Sequence, residues 1–588
     1  LVQRLASAPR WLVASAIVAV FAVAAYVPGF ALPLVPKLEA IAYDARLALT
    51  RPNKGDSQVV IVDVDEASLA REGRWPWSRD KMARLTSQLF DRYHARAVGF
   101  DVVFPEPDTS SGAGVVDQLA ATAFAKSAEF NQRWRAMRAD FDYDAQFAAS
   151  LQGHLVALAL GFTDRVQAVN PLPAPAFTLA ELGGHVIPLA AERGYTANLP
   201  ILTQSATITG HFDPAFDADS LIRRVPMVKR YGDDFYPALS LALAAIVLES
   251  KRITPHFDSN GDLDGFDLGG LMVPTAADGT ALVPYRGPAH TFHYESAAAV
   301  LEGDAGVTGL DGAVVVFGTS AKGLQDLRPT PMAPDFPGIE IHANLLSGML
   351  NEDMRSIPRG AREFEALGML IAGALVIFVI PWRRPLITVA GIAAVAALVI
   401  GVNLWFWIKD RAVIPLAGTL VMLAALLVYN LLTGFVREAR GTRILTDMFG
   451  EYVPPERVAE MRDSGERFSL EGESRELTVL FSDVRQFTAL SERLPPRELS
   501  AMMNAYLTAM TEEIHRTGGT IDKYIGDAIM AFWGAPLVRP THPRDAVLAA
   551  LAMRDTMPKL APGFVARGWP ELAIGIGVNT GAMNVGDM

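Results

Sequence analysis

Four uncharged, strongly apolar runs set the terms on which this chain can fold. They cover residues 11–36, 366–382, 386–408 and 412–436. Each is long enough to cross a bilayer as a helix, the second only just. Inside hydrocarbon the backbone amides must bond within their own segment, so a spanning run of this kind is expected to be helical. The runs leave two water-soluble parts among the 588 residues, 37–358 and 437–588. Arg4 and Arg10 precede the first run, Arg383 and Arg384 separate the second from the third, and Arg437, Arg440 and Arg443 follow the fourth. The positive-inside rule then places the N-terminus and everything after 436 in the cytosol, and residues 37–358 outside. Lys409, Asp410 and Arg411 run against that rule, because the same topology puts them outside. Ala22, Ala24 and Ala25 also fit a cleavable signal peptide, but the length of the uncharged run favours a retained span.

Apolar residues make up 51% of the chain, which fits several spans. A formal charge of −12 with no basic stripe argues against non-specific nucleic-acid binding. Cysteine is absent, so there is no disulfide, no thiol nucleophile and no thiolate metal site.

Residues 37–358 alternate strand and helix signals. Val59–Asp65 is a buried strand, Arg79–His94 has helical spacing at Met82, Leu85, Leu89 and Phe90, and Ala97–Phe104 is strand again. That order predicts a βαβ unit in an α/β domain. Ala313–Phe317 adds a strand and Ile339–Leu350 a helix. Asp63, Asp65, Glu66 and Asp101 all lie at strand ends, where open α/β sheets bind ligands. They suit a cation or a polar signal molecule, and suit helix caps and buried hydrogen bonds slightly better. Trp75-Pro76-Trp77 is expected to be a packed turn.

After the fourth run, residues 437–470 form a polar linker, helical at first and broken at Pro454-Pro455. Residues 471–588 then read as β-α-β-β-α-β, the order of a ferredoxin-like α+β palm. Glu476–Asp483 is a central strand, Pro496–Arg516 an amphipathic helix, and Thr520–Trp533 a hairpin turning at Gly526-Asp527. Asp545–Met553 is helical and Leu572–Val578 is strand. In that topology the first strand lies beside the hairpin, so Asp483 and Asp527 meet. Two such carboxylates can hold a pair of Mg²⁺ or Mn²⁺ ions, which suits chemistry on a nucleoside triphosphate. The loop 484–488 opens a helix whose backbone N–H groups can face phosphate oxygens. Taken singly, each Asp is equally a cap or turn residue and Lys523 a solvated strand residue.

The motifs Phe481-Ser-Asp-Val-Arg-Gln-Phe-Thr488 and Lys523-Tyr-Ile-Gly-Asp527 together resemble the class III nucleotidyl cyclases. The resemblance implies that Asp483 and Asp527, with the Val484 carbonyl, hold two divalent ions in a site shared by a homodimer. It implies that Lys523 reads the base, and that Phe487 and Thr488 contact the substrate. An ammonium only donates hydrogen bonds, which fits the acceptor N1 of adenine and hence ATP. Gln486 stands where the family commonly has Gly. A second base-reading residue and the Asn and Arg that stabilise the transition state are expected beyond Gly575–Gly581, past Met588, so the cyclase domain is expected to be truncated.

Residues 44–350 resemble the second type of CHASE sensor domain. The blocks that carry this are Val60–Ser68, Gly73–Asp80, Val98–Asp108, Gly318–Arg328 and Phe336–Asn344. The two resemblances together describe a bacterial inner-membrane, multi-pass receptor that turns an unidentified extracytoplasmic ligand into cyclic AMP. The rivals are a non-catalytic regulatory cytosolic part and a guanylate cyclase. A diguanylate cyclase needs a Gly-Gly-Asp/Glu-Glu-Phe turn where this hairpin has Ile525-Gly-Asp-Ala528, and no Gly-rich lid of a histidine kinase follows the spans.

Overall fold

Every residue of the first strand is buried, which requires cover on both faces of a sheet. The computed structural model describes residues 10–585 apart from 28–29, 31, 322–323, 325, 380–384, 450–472 and 536–537. The chain divides into two units, residues 1–428 and 429–588.

In the first unit, α1 (Arg10–Tyr26) and α2 (Leu34–Thr50) precede the sheet strands β1 (Val59–Val64), β2 (Ala97–Phe100), β3 (Val156–Thr163), β4 (Ile208–His211), β5 (His293–Ser296) and β6 (Val314–Thr319). These six are parallel in the order β5-β1-β6-β2-β3-β4, and two short strands extend the sheet. The expected strands β1 and β2 thus share a sheet, but β6 is inserted between them. Alternation sorts the side chains into two cores. Val59, Ile61, Val314 and Val316 face α6 (Leu239–Val247) and α7 (Gly338–Leu350), while Val60, Val62, Val64 and Phe317 face α4 (Arg79–Ser87) and α5 (Tyr143–Leu151). Between β1 and α4 lies α3 (Glu66–Glu72), capped by the Asp65 carboxylate on the Ser68 N–H at 2.7 Å.

The apolar runs are realised unequally. Among the described residues one helix is long and apolar enough to cross a membrane, Leu386–Lys409 within α9 (Pro385–Lys409). The run 11–36 is not one helix, since α1 stops at Tyr26 and α2 begins at Leu34. Prolines at 28, 33 and 36 lack the N–H that a continuing helix needs. The run 366–382 lies in α8 (Ala361–Ala374) and a wide turn, Leu375–Val379. The run 412–436 is helical from Ala417 onward, because Pro415 precedes the start of α10 (Ala417–Phe449). A Cβ at Gly373 of α8 would stand 2.5 Å from the Val18 side chain of α1, a close approach that glycine permits.

In the second unit β7 (Glu473–Val484) is followed by α11 (Phe487–Ser491) and α12 (Pro496–Arg516). Then come the hairpin β8 (Thr520–Ile525) and β9 (Ala528–Trp533), α13 (His542–Val565) and β10 (Ile574–Val585). The antiparallel sheet order β8-β9-β7-β10 is that of a ferredoxin-like palm. Ile529, Ala531 and Trp533 are buried against Met502, Tyr506, Met510 and Ile514, the apolar face of the amphipathic α12. The linker residues 450–470 lie outside the described residues.

Candidate active site

Strand β9 connects the pieces of the site, because it is hydrogen-bonded to β8 on one side and β7 on the other. The hairpin turn holds Gly526 at φ 66°, a left-handed conformation that glycine adopts without a Cβ penalty. That turn carries Asp527 to the end of β7, where the Val484 N–H donates to its Oδ2 at 3.3 Å. Asp483 is within hydrogen-bonding reach of the same carboxyl. Burial, followed by the facing Asp483 carboxylate, pushes Asp527 above the ordinary carboxylate range. Two carboxylates so placed repel each other and favour a cation between them.

Beneath the pair lies Tyr506 of α12, fully buried and pushed up to about 12 by burial, with the charges of Asp527 and Asp483 adding to the effect. By helical spacing alone Tyr506 reads as part of the apolar face of α12. Its hydroxyl in an otherwise Met and Ile stripe was the one available signal that this stripe passes under polar groups.

Lys523 reaches the site face through a β-bulge. Ile521 pairs with Ala531 on the helix-covered face, and simple alternation would put Lys523 there too. The register shifts after Ile521, so Lys523 instead pairs with Met530 on the open face. Met530 also pairs with Phe481, and Asp483 is two residues on from Phe481. Lys523, Phe481 and Asp483 therefore share one face. Two strand spacings of about 4.8 Å and one two-residue step of about 6.7 Å set the Lys523 and Asp483 Cα atoms roughly 12 Å apart. The Lys523 side chain is exposed and lies 3.4 Å from Asp522 Oδ2.

The loop after Asp483 turns at Gln486, whose φ of 59° is left-handed. This explains why glycine is the commoner residue there. Gln486 opens the five-residue helix α11, where Phe487 is half-buried against the core and Thr488 is exposed. The donor set for a divalent ion is two carboxylates and a backbone carbonyl, all oxygen, which fits Mg²⁺ or Mn²⁺ and not a soft metal. Among the described residues no group of three or more His, Asp or Glu gathers to hold a metal.

Residues 16–380 match the family model for the CHASE2 domain, more than half of the chain. Residues 471–587 match the model for the adenylate and guanylate cyclase catalytic domain. Adenylate cyclase 1 of Rhizobium meliloti is 32% identical over 140 residues, 24% of this chain and 21% of that protein. Among solved structures, the adenylyl cyclase CyaB of P. aeruginosa is 40% identical over 20% of this chain and 62% of that chain, with a TM-score of 0.20. The guanylyl cyclase Cya2 is 36% identical over 20% of this chain and 59% of that chain, also with a TM-score of 0.20. The chain thus spans only a minor part of the length of the curated relative.

Proposed function

The chain belongs to the CHASE2 family and carries an adenylate and guanylate cyclase catalytic domain, and on that basis we propose that it is a membrane receptor adenylate cyclase. It converts ATP to 3′,5′-cyclic AMP and pyrophosphate in response to an extracytoplasmic ligand. The observation that carries this reading is the convergence of Asp527 with Asp483 at the Val484 N–H.

Asp483, Asp527 and the Val484 carbonyl are the residues that would hold two Mg²⁺ or Mn²⁺ ions. Ions bound there supply charge neutralisation for the triphosphate and a lower pKa for the attacking hydroxyl. The chain's own residues do the positioning. Lys523 donates to adenine N1, and the backbone of residues 485–488 faces the phosphates, with Phe487 anchoring that loop in the core. The ribose 3′-hydroxyl, held in line, bonds to the α-phosphorus as the bond to the bridging oxygen breaks. The hydroxyl proton passes to solvent water and pyrophosphate leaves with the bridging oxygen. Among the described residues no helix layer covers the sheet face that carries Lys523, and Phe481 on it is 48% exposed. A second copy of the chain is proposed to cover that face, as a homodimer. Four membrane-associated helical segments, α1, α8, α9 and α10, are proposed to hold the sensor outside and the cyclase domain in the cytosol of a bacterial inner membrane.

The test is cyclic AMP formation from ATP by membranes carrying the full-length protein with Mn²⁺. Activity should disappear on chelation and fall at least about 100-fold in Asp527→Ala, the change expected on removing a metal ligand. Turnover indifferent to both would sink the proposal.

A further inference from the structure

A cavity of about 270 Å³ lies at the carboxyl ends of the central strands of the first unit. Asp101 follows β2 directly, Phe212 follows β4, and His342 belongs to α7. Parallel sheets take ligands in this place, outside the carboxyl ends of the strands where the strand order reverses. Here β6 enters between β1 and β2.

Two acceptors of the polar lining lack a hydrogen-bond donor among the described residues. Asp326 is paired with Arg328 at 3.3 Å. Asp101 is half-buried and accepts no hydrogen bond among the described residues. His342 is 5% exposed, and its Nδ1 has no hydrogen-bond partner. The other ring nitrogen donates to the Phe212 carbonyl, which makes Nδ1 an acceptor. Trp75 and Phe212 add aromatic surface, and Trp75 is held edge-on against Trp77 at 5.5 Å. Burial pushes Asp101 up to about 7, with Arg328 opposing and Asp213 adding to the shift. A buried carboxylate without a partner is unfavourable, and a bound cation relieves it. The larger cavity of the same unit, about 580 Å³, has only the exposed Lys251 and Arg252 as charged lining residues and offers no such group.

We propose that this cavity binds a small organic cation, a primary amine whose ammonium group donates to Asp101 and to His342 Nδ1 while its apolar body lies against Trp75 and Phe212. Among the described lining residues two carboxylates face one guanidinium, a balance that favours a cation. Size supports it too, since the volume falls just under the roughly 300 Å³ at which pockets for drug-sized ligands begin. Occupancy of the site does not depend on the nucleotide chemistry of the second unit, so the two readings fail separately.

Isothermal titration of the full chain in detergent with phenethylamine tests the proposal, with 2-phenylethanol as the uncharged control. At pH 8 the amine should saturate one site and the alcohol should bind at least about tenfold more weakly, because charge-assisted hydrogen bonds are about twice as strong as neutral ones. Asp101→Asn should weaken amine binding at least about tenfold and leave alcohol binding unchanged. The unaltered protein provides a second readout free of folding effects. Amine affinity should fall about tenfold from pH 8 to pH 6, because Asp101 takes up a proton while the amine keeps its own. Of the groups around Asp101, Asp326 titrates in the same range, Asp213 is also raised, Arg328 is the neighbouring guanidinium, and His342 stays neutral because burial pushes it down to about 4. Absence of amine binding, equal affinity for amine and alcohol, or undiminished amine binding by Asp101→Asn would each overturn the assignment.

Discussion

Exchanging Lys523 for Glu separates the proposed base-reading role from a structural one. The side chain is 62% exposed on an edge strand, and its ion pair with Asp522 is 3.4 Å long. An exposed pair of this kind contributes at most about 1 kcal/mol. Surface exchanges away from special features usually change stability by about 0.5 kcal/mol or less. Thermal unfolding of Lys523→Glu should therefore match that of the unaltered protein. The functional expectation is much larger. One hydrogen bond to a charged donor contributes about 1.5–3 kcal/mol, which is roughly 10- to 150-fold in kcat/KM for ATP. A carboxylate at the same position accepts from the N1–H of guanine, so loss with ATP should be accompanied by gain with GTP. The assay is initial rates of cyclic AMP and cyclic GMP formation by membranes carrying the full-length protein, with Mn²⁺ and each nucleotide at matched concentrations. Lys523→Ala serves as the control that removes the donor without supplying an acceptor, and should lose discrimination without favouring GTP. An unchanged ATP to GTP ratio in Lys523→Glu, or equal rates with both nucleotides in the unaltered protein, would refute the reasoning.

Three further expectations concern stability and topology. Scanning calorimetry of the first unit's transition should show the midpoint rising from pH 8 to pH 5, because Asp63 (about 6) and Asp101 (about 7) are raised by burial and hold protons in the folded state that the unfolded state releases. Asp101→Asn should raise the midpoint at pH 8 and not at pH 5, and below about pH 4 stability should decline as Asp219, held low by its Arg223 hydrogen bond, takes up its proton. At Gln486, with φ of 59°, a β-branched residue is strained, so Gln486→Val should destabilise the second unit by about 1–2 kcal/mol in denaturant titrations while Gln486→Gly does not. The chain has no cysteine, so single replacements give clean labelling by an impermeant maleimide. Asp410→Cys should react from the same side of the membrane as Val166→Cys, and Asp555→Cys from the opposite side.

What could be read from the residues was local order, and what could not was strand order. The all-apolar β1 and the alternation Ile529, Ala531, Trp533 announce their burial directly. The approach of Asp483 to Asp527 follows once β7 is placed beside the hairpin. The side on which Lys523 emerges does not follow, because one extra residue at the bulge reverses it. The acids at the strand ends looked like one cluster because they are close in sequence, and the sheet separates them. Asp65 caps α3 and accepts from Ser296 at 3.0 Å, and Asp63 accepts from Ser320. Only Asp101 opens to the cavity, where it meets Asp326 and His342 from more than 200 residues later. Contacts of that separation depend on the insertion of β6, which no local pattern encodes.

The same long-range packing accounts for the turn that conflicts with the positive-inside rule. Arg411 pairs with Asp353 at 2.9 Å and donates to the Glu352 carbonyl, and its own carbonyl accepts from the Ser356 N–H at 3.2 Å. Arg355 donates to the Trp407 carbonyl at 2.8 Å and stacks over the indole ring at 3.9 Å, while Arg46 of α2 lies over the same ring at 4.9 Å. On the other side of the turn the Glu39 carboxylate accepts from the Leu416 and Ala417 N–H groups at 2.7 and 2.8 Å, capping α10, and is itself held by Arg46 at 2.6 Å. Residues 407–417 are thus built into the base of the sensor domain. The charge rule counts free loop charges that resist translocation. Arg411 is engaged by the carboxylate and carbonyls of the domain it accompanies, so its presence beyond the third apolar run is compatible with a sensor that lies outside. Within the unit, α2, the turn and the sensor core share Tyr43, Leu47, Trp407 and Val413 in one continuous hydrophobic cluster.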